Sequence, residues 1–330
     1  MPDKAMSPQR VSKEYDAGLR FNQGIGLYEC VRANENFFIG KQWEGVQANG
    51  LPTPVFNFLK RVVLFSVANV STDNLKLHAK PMASSGERPA EEVEILTDIL
   101  NDQFVSIFEA NKMGACIREF CRNAAVDGDG CMYAWWDPDM ETGQDAKGGI
   151  KTEVLSNTQV LFGNPNSRDL QTQPYILIEK RMLLEDARDL MESGDRDAVT
   201  PDEKESGDPH LDNLGGEKVT VLTRLWRSKE TGTIHAYQCT RQAALRGEWD
   251  LRIKHYPLTW MNWDFVQDCY HGQAMITGLI PNQIFVNKLF AMSMISLMTL
   301  AYPKIIYDRT KVGKWSSRVG AAIGANGNVD

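Results

Sequence analysis

The chain reads as an α+β protein, and the order of its periodicities carries that assignment. Apolar residues at helical spacing fill the first third, runs with strand-like alternation fill the middle, and one long uncharged apolar run lies near the C-terminus. Helices and strands are therefore segregated along the chain and do not alternate as β/α units. With 330 residues, 42% of them hydrophobic, the sequence has enough apolar surface for a real core and predicts two or three domains.

Residues 13–39 place Tyr15, Leu19, Ile25, Tyr28, Val31 and Phe37 at helical spacing and stop at Gly40. "IGKQWEGV" is a turn, and Pro54 opens a second helix running through "PVFNFLKRVVLFSVANV" to Val70. "DNLKLHAKP" alternates like a half-buried strand ended by Pro81. From Pro89 to about Ala125 the spacing is helical again, with Asn111 and Gly114 as a break point and Glu87, Glu91, Glu92 and Glu94 at the positive end of the helix dipole. "DGDG" punctuates, and "CMYAWWD" with "GIKTEVLS" predicts a long β-hairpin. Two short strands flank "GNPNSRDLQTQP", and "LEDARDLME" is a short helix. Between Glu185 and Glu217 twelve acids face three basic residues, the pattern of a solvated loop with mobile parts. "KVTVLTRLWRS", "GTIHAYQCT" and "LRIKHYPLTWMNW" predict a three-stranded antiparallel meander, and a long helix beginning near Gly272 or Pro281 closes the pattern at Tyr302.

A net charge of −7 argues against a protein that grips nucleic acid by neutralising phosphates, although a duplex that slides past is compatible with it. The six cysteines (Cys30, Cys116, Cys121, Cys131, Cys239 and Cys269) form no CxxC pair and follow no secretory signal, so free thiols in a reducing compartment are expected and no metal site. No Walker loop, G-x-S-x-G elbow, H-E-x-x-H helix or G-x-G-x-x-G turn is present. "DGDG" lacks the later ligands of a calcium loop and reads as a tight turn. The five histidines stand apart from one another and from any nucleophile motif, so packed or surface roles are expected, and Asp137 and Asp139 are turn residues beside Pro138. Trp135 and Trp136, adjacent on a strand, face opposite sides, one toward a core and one toward an interface. Leu289–Pro303 is uncharged over fifteen residues, short of the roughly twenty that a membrane-spanning helix needs.

Several unusual segments occur in a recognisable order. "ENFFIGKQWEGV" with Gly40, Gln42 and Trp43, then "PVFNFLKRVV" with Asn57, resembles the N-terminal segment of tailed-bacteriophage portal proteins. "FGNPNSRDLQTQPYILIEKR", with Asn164, Pro165 and Arg168, looks like the same family's middle strand pair. "GLIPNQIFVNKLFAMSMISLMTLAYPKIIYD", with Pro281, Gln283 and Asn287, is similar to the helix that forms one leg of the family's stem. The resemblance runs from about Tyr15 to Asp308.

It implies a portal-like α+β fold: a wing-like region over 1–271 that includes the acidic loop 185–217, a first stem helix over 272–302, and the start of a clip over 303–330. It implies a non-catalytic, cofactor-free subunit of a ring, usually of twelve copies, assembled in the host cytoplasm and built into one capsid vertex of the virion. Double-stranded DNA would pass through the ring, pumped in by the terminase large subunit and later ejected. The further partners would be a head-tail adaptor and the capsid and scaffold proteins. Within that frame the apolar helix packs against neighbouring helices, and twenty-two residues from Pro281 to Tyr302 span about 33 Å at 1.5 Å per residue. Lys288 is expected to face the channel, and Lys311, Lys314, Trp315 and Arg318 to meet the terminase or adaptor. The family continues into a second stem helix, a wing helix and a crown, and a chain ending at "GANGNVD" is expected to lack that part. Two alternatives from other classes remain: a membrane-associated pore built on Leu289–Pro303, and an enzyme without a legible motif.

Overall fold

The structure, a computed structural model, describes residues 6–48, 50–71, 77–81, 90–141, 147–191, 194, 196–202, 217–301, 310 and 312. The chain divides into two compact units, one of Met1–Glu44 with Asn57–Gln283, the other of Gly45–Phe56 with Ile284–Asp330.

In the first unit, helix α1 (Pro8–Gly24) starts where Ser7 accepts a hydrogen bond from the Arg10 N–H with Pro8 just inside the helix, a strong start signal. The single helix expected over 13–39 is two: α1 ends before Gly26, and α2 (Leu27–Ile39) follows. Helix α3 (Phe58–Ser71) begins four residues after Pro54. The expected strand at "DNLKLHAKP" is absent from its described residues 77–81, where Leu77 is exposed and the Ala79 backbone pairs with the Asn101 side chain (2.7 and 3.4 Å). The next helical stretch breaks at Lys112, whose φ is 50°, giving α4 (Ala90–Ala110) and α5 (Met113–Asp127).

"DGDG" is, as expected, a tight turn, here the one that carries the chain from a helix into the first strand of the hairpin. Asp127 ends α5, Gly128 has φ 106°, and Asp129 already belongs to β1 (Asp129–Asp137). A Cβ on Gly128 would lie 2.8 Å from the Gly272 carbonyl oxygen, and one on Gly272 would lie 2.7 Å from the Asp264 carbonyl oxygen, so main chain passes main chain here with no room for a side chain.

Strand β1 pairs antiparallel with β2 (Gly149–Leu155), the predicted hairpin, and on its other edge with β8 (Leu258–Asn262). Asp137 accepts from the Asp139 N–H as a turn residue. A second, five-stranded antiparallel sheet has the order β3 (Val160–Phe162), β4 (Ile176–Leu183), β5 (Lys218–Arg227), β6 (Ile234–Cys239), β7 (Ala244–Asp250). The third meander strand is thus β7, not "LRIKHYPLTWMNW", whose first half is irregular and whose "LTWMN" is β8 of the other sheet. The middle of the sheet is covered on both faces, so the consecutive Ile176, Leu177 and Ile178 at the start of β4 are all buried, whereas its charged second half is more exposed. Leu177 packs with Val11 and Tyr15 of α1, whereas Ile176 and Ile178 face the opposite cluster of Leu155, Leu225, Leu258 and Tyr270.

Within the acidic loop, helix α6 (Leu184–Asp189) and a turn at Arg196–Ala198 are ordered, Val199 is fully buried, and Asp202 holds the Thr220 N–H at 2.7 Å. Residues 192–193, 195 and 203–216 of that loop lie outside the described residues. Helix α7 (Met275–Ala301) starts six residues ahead of Pro281, which lies inside it.

Candidate functional site

Helix α7 is rooted in the first unit. Ala274 and Ile276 are buried with Phe38, Val63, Val67 and Val126, so the start of the helix belongs to the same cluster as α2, α3 and α5. Pro281 has no N–H for the Thr277 carbonyl. The Thr277 hydroxyl is itself tied to Asn34 (3.0 Å), whose amide also donates to the Val126 carbonyl (2.9 Å).

Three resemblance residues converge beside this root. The Gln283 side-chain oxygen accepts from the N–H groups of Phe58 (3.2 Å) and Leu59 (3.3 Å), filling the open N-terminus of α3. Asn57 accepts from the Lys60 N–H (3.2 Å) and donates to the Phe38 carbonyl (2.9 Å). Gln42 donates to the Phe37 carbonyl (3.1 Å). Residues far apart in sequence thus complete the end of α2 and the start of α3. Gly40 closes α2 at φ 98°, a conformation that other residues adopt at a cost, and Trp43 behind it is half-buried.

Asn164 and Pro165 form a separate loop. Gln173 bonds the Asn164 N–H (2.9 Å) and carbonyl (3.2 Å), and the Pro165 carbonyl accepts from the Tyr270 N–H (3.0 Å). Arg168 lies over the Phe265 ring at 4.6 Å. In the second unit Asn287 is buried and accepts from the Phe56 N–H at 3.5 Å, while the Phe56 and Phe290 rings pack with centroids 4.1 Å apart. Lys288 is exposed. Lys311, Lys314, Trp315 and Arg318 lie outside the described residues.

From Phe285 onward most of the described helix surface is exposed. Phe285 is 61% exposed, Leu297 65% and Leu300 76%, with Met292, Met294 and Met298 also exposed. By length and composition α7 suffices to cross a membrane. Its apolar part alone does not: the thirteen residues after Lys288 reach about 20 Å, against the roughly 30 Å of a bilayer core. Helices α3 and α4 also present large apolar side chains to solvent, among them Phe58, Phe65, Ile95 and Ile99.

A buried polar network escaped sequence reasoning. Asp129, fully buried, receives the His271 Nδ1 (2.7 Å), Asn262 (2.7 Å) and the Gly272 N–H (2.7 Å). The other nitrogen of His271 faces the Asn22 oxygen at 3.1 Å. Of the expected packed histidines, His271 is therefore one, but its partner stands 142 positions away, a spacing that carries no local signal. Nearby, burial and the Glu35 charge push the Asp127 carboxyl up to about 7 against the pull of Arg122. Trp135 stacks on Tyr133 at 5.3 Å and Trp136 is 63% exposed, so neither tryptophan is core.

A cleft of about 490 Å³, lined by Tyr15, Glu179, Arg181, Asp202 and Arg241 among others, is open and polar. Among the described residues no group of three or more His, Cys, Asp or Glu side chains has the geometry to hold a metal ion. Known protein-family models and curated proteins contain no match to this chain.

Proposed function

We propose that this chain is a portal-type ring subunit, a structural conduit for double-stranded DNA. The observation that carries the proposal is α7, a helix rooted by Gln283 and its buried start yet apolar and exposed along the half beyond Asn287. Such a surface is stable in water only when covered, and helices of neighbouring copies in a ring would cover it on both sides. The adaptable methionines 292, 294 and 298 suit close packing between helices. The convergence of Gln42, Asn57 and Gln283 adds support, because residues picked out separately by resemblance act together at the root of α7. An acidic chain favours a lumen that repels phosphate and lets the duplex slide, with exposed Lys288 as a weak, salt-sensitive contact. In this proposal the terminase and adaptor meet the segment with Lys311, Lys314, Trp315 and Arg318; packaging that survives joint charge reversal of Lys314 and Arg318 would remove that assignment.

A membrane pore is the second reading, favoured by the length and composition of α7 alone. Against it stand Asn282, Gln283, Asn287 and Lys288, which interrupt the apolar run and leave its remainder too short. Light scattering and negative-stain imaging of detergent-free protein decide between them. Rings with a central hole are expected. Monomers at every concentration would overturn ring assembly by this chain, and a requirement for detergent would favour the pore.

A further inference from the structure

We infer that neighbouring copies dock head to tail, with the outer face of α3 on one copy seated against the outer face of α4 on the next. The inference deepens the ring proposal and rests on it.

On α3, Phe58, Arg61, Val62 and Phe65 recur at positions i, i+3, i+4 and i+7 and are all exposed, so they share one outward face. The opposite face, Leu59, Val63 and Val67, is buried in the chain's own core. The charges of α3 are Lys60 and Arg61, and the helix holds no acid. On α4, Ile95, Leu96, Ile99 and Leu100 are exposed. Beside them Glu91, Asp98, Asp102 and Glu109, spaced seven, four and seven apart, form one exposed acidic stripe, with Glu92 and Glu94 adding to the charge and no basic residue in the helix. Among the described residues neither Arg61 nor any acid of that stripe makes an ion pair within its own chain.

Charge complementarity names the occupant. Two α4 faces brought together would set acid against acid, and two α3 faces would set Arg61 against Arg61, so a two-fold dimer through either helix is disfavoured. The unlike pair buries apolar surface on both sides and places Arg61 beside the acidic stripe. A contact of this kind uses a different patch on each copy, and where its rotation closes it makes a ring.

The test measures the concentration at which the full chain assembles, by mass photometry, with circular dichroism as a folding check. Arg61→Glu, and separately Asp98→Lys with Asp102→Lys, should each raise that concentration by about tenfold, and high salt should weaken the wild type in the same direction. Combining the substitutions should bring assembly back toward the wild-type value. Phe65→Asp should prevent assembly while leaving the fold intact. Assembly that is indifferent to all of these, or single reversals that the combination fails to rescue, overturns the docking and leaves the ring standing. A folded wild type that never assembles overturns the ring and the docking together. Isologous dimers linked through α4 would replace the second copy's α3 by its α4 and also overturn the inference.

Discussion

The five-stranded sheet and the helices α3, α4 and α7 handle similar side chains in opposite ways. In β4 consecutive Ile176, Leu177 and Ile178 are all buried, because α1 lies on one face of the sheet and the β1–β2–β8 sheet on the other. In α7 Phe285, Leu297 and Leu300 are as apolar, yet among the described residues they stay exposed. Apolar runs therefore carry two messages. One builds the core, the other stays exposed along a helix, and composition alone does not separate them.

Substitutions should expose that division. Asp129→Ala, which strands His271 in the interior, is expected to cost about 3–5 kcal/mol of stability in chemical denaturation. Leu177→Ala, a cavity between the sheet and α1, should cost about 3 kcal/mol. Asp127→Asn should act in the other direction. The folded carboxyl has its pKa raised above the unfolded value, so the native state binds more protons between about pH 4 and 7 and loses stability as pH rises through that window. Removing the charge should stabilise by about 1–2 kcal/mol at pH 8, make no difference near pH 4, and flatten the pH profile between them. Gln283→Ala, which reopens the start of α3, should cost about 1 kcal/mol. Leu297→Asp with Leu300→Asp should leave the stability of the monomer within about 0.5 kcal/mol and abolish assembly, the sharpest form of the comparison. A large stability loss in that last variant would mean that α7 packs within its own chain.

Much of the local structure was legible from pattern. The β1–β2 hairpin, the β3–β4 pair and the long α7 follow from alternation, turn residues and an uncharged run. Pairing between distant segments was not. "LTWMN" has the same strand signal wherever it goes, and its place beside β1 is decided by contacts such as Asn262 with Asp129. The strand expected at Leu77 failed because a strand needs a neighbour, and Asn101 offers one side chain there instead of a ladder. At the root of α7, the importance of Gln42, Asn57 and Gln283 could be flagged by resemblance, but their common task of completing α2 and α3 appears only when Gln283 reaches across more than two hundred positions. The Asp129 network left no trace in sequence because asparagine, histidine and aspartate carry no period when each comes from a different element.

The crossing of Gly128 and Gly272 leaves a junction with little give. Side-chain contacts yield by changing rotamer, but at Gly128 the bare backbone lies against the Gly272 carbonyl with no side chain between them to give. Gly272, just ahead of α7, is thereby pinned like a rivet against Gly128, just ahead of β1, and a single methyl group there, Gly272→Ala, would press on the Asn262 side chain and the Asp264 carbonyl and loosen the junction before it altered any exposed surface.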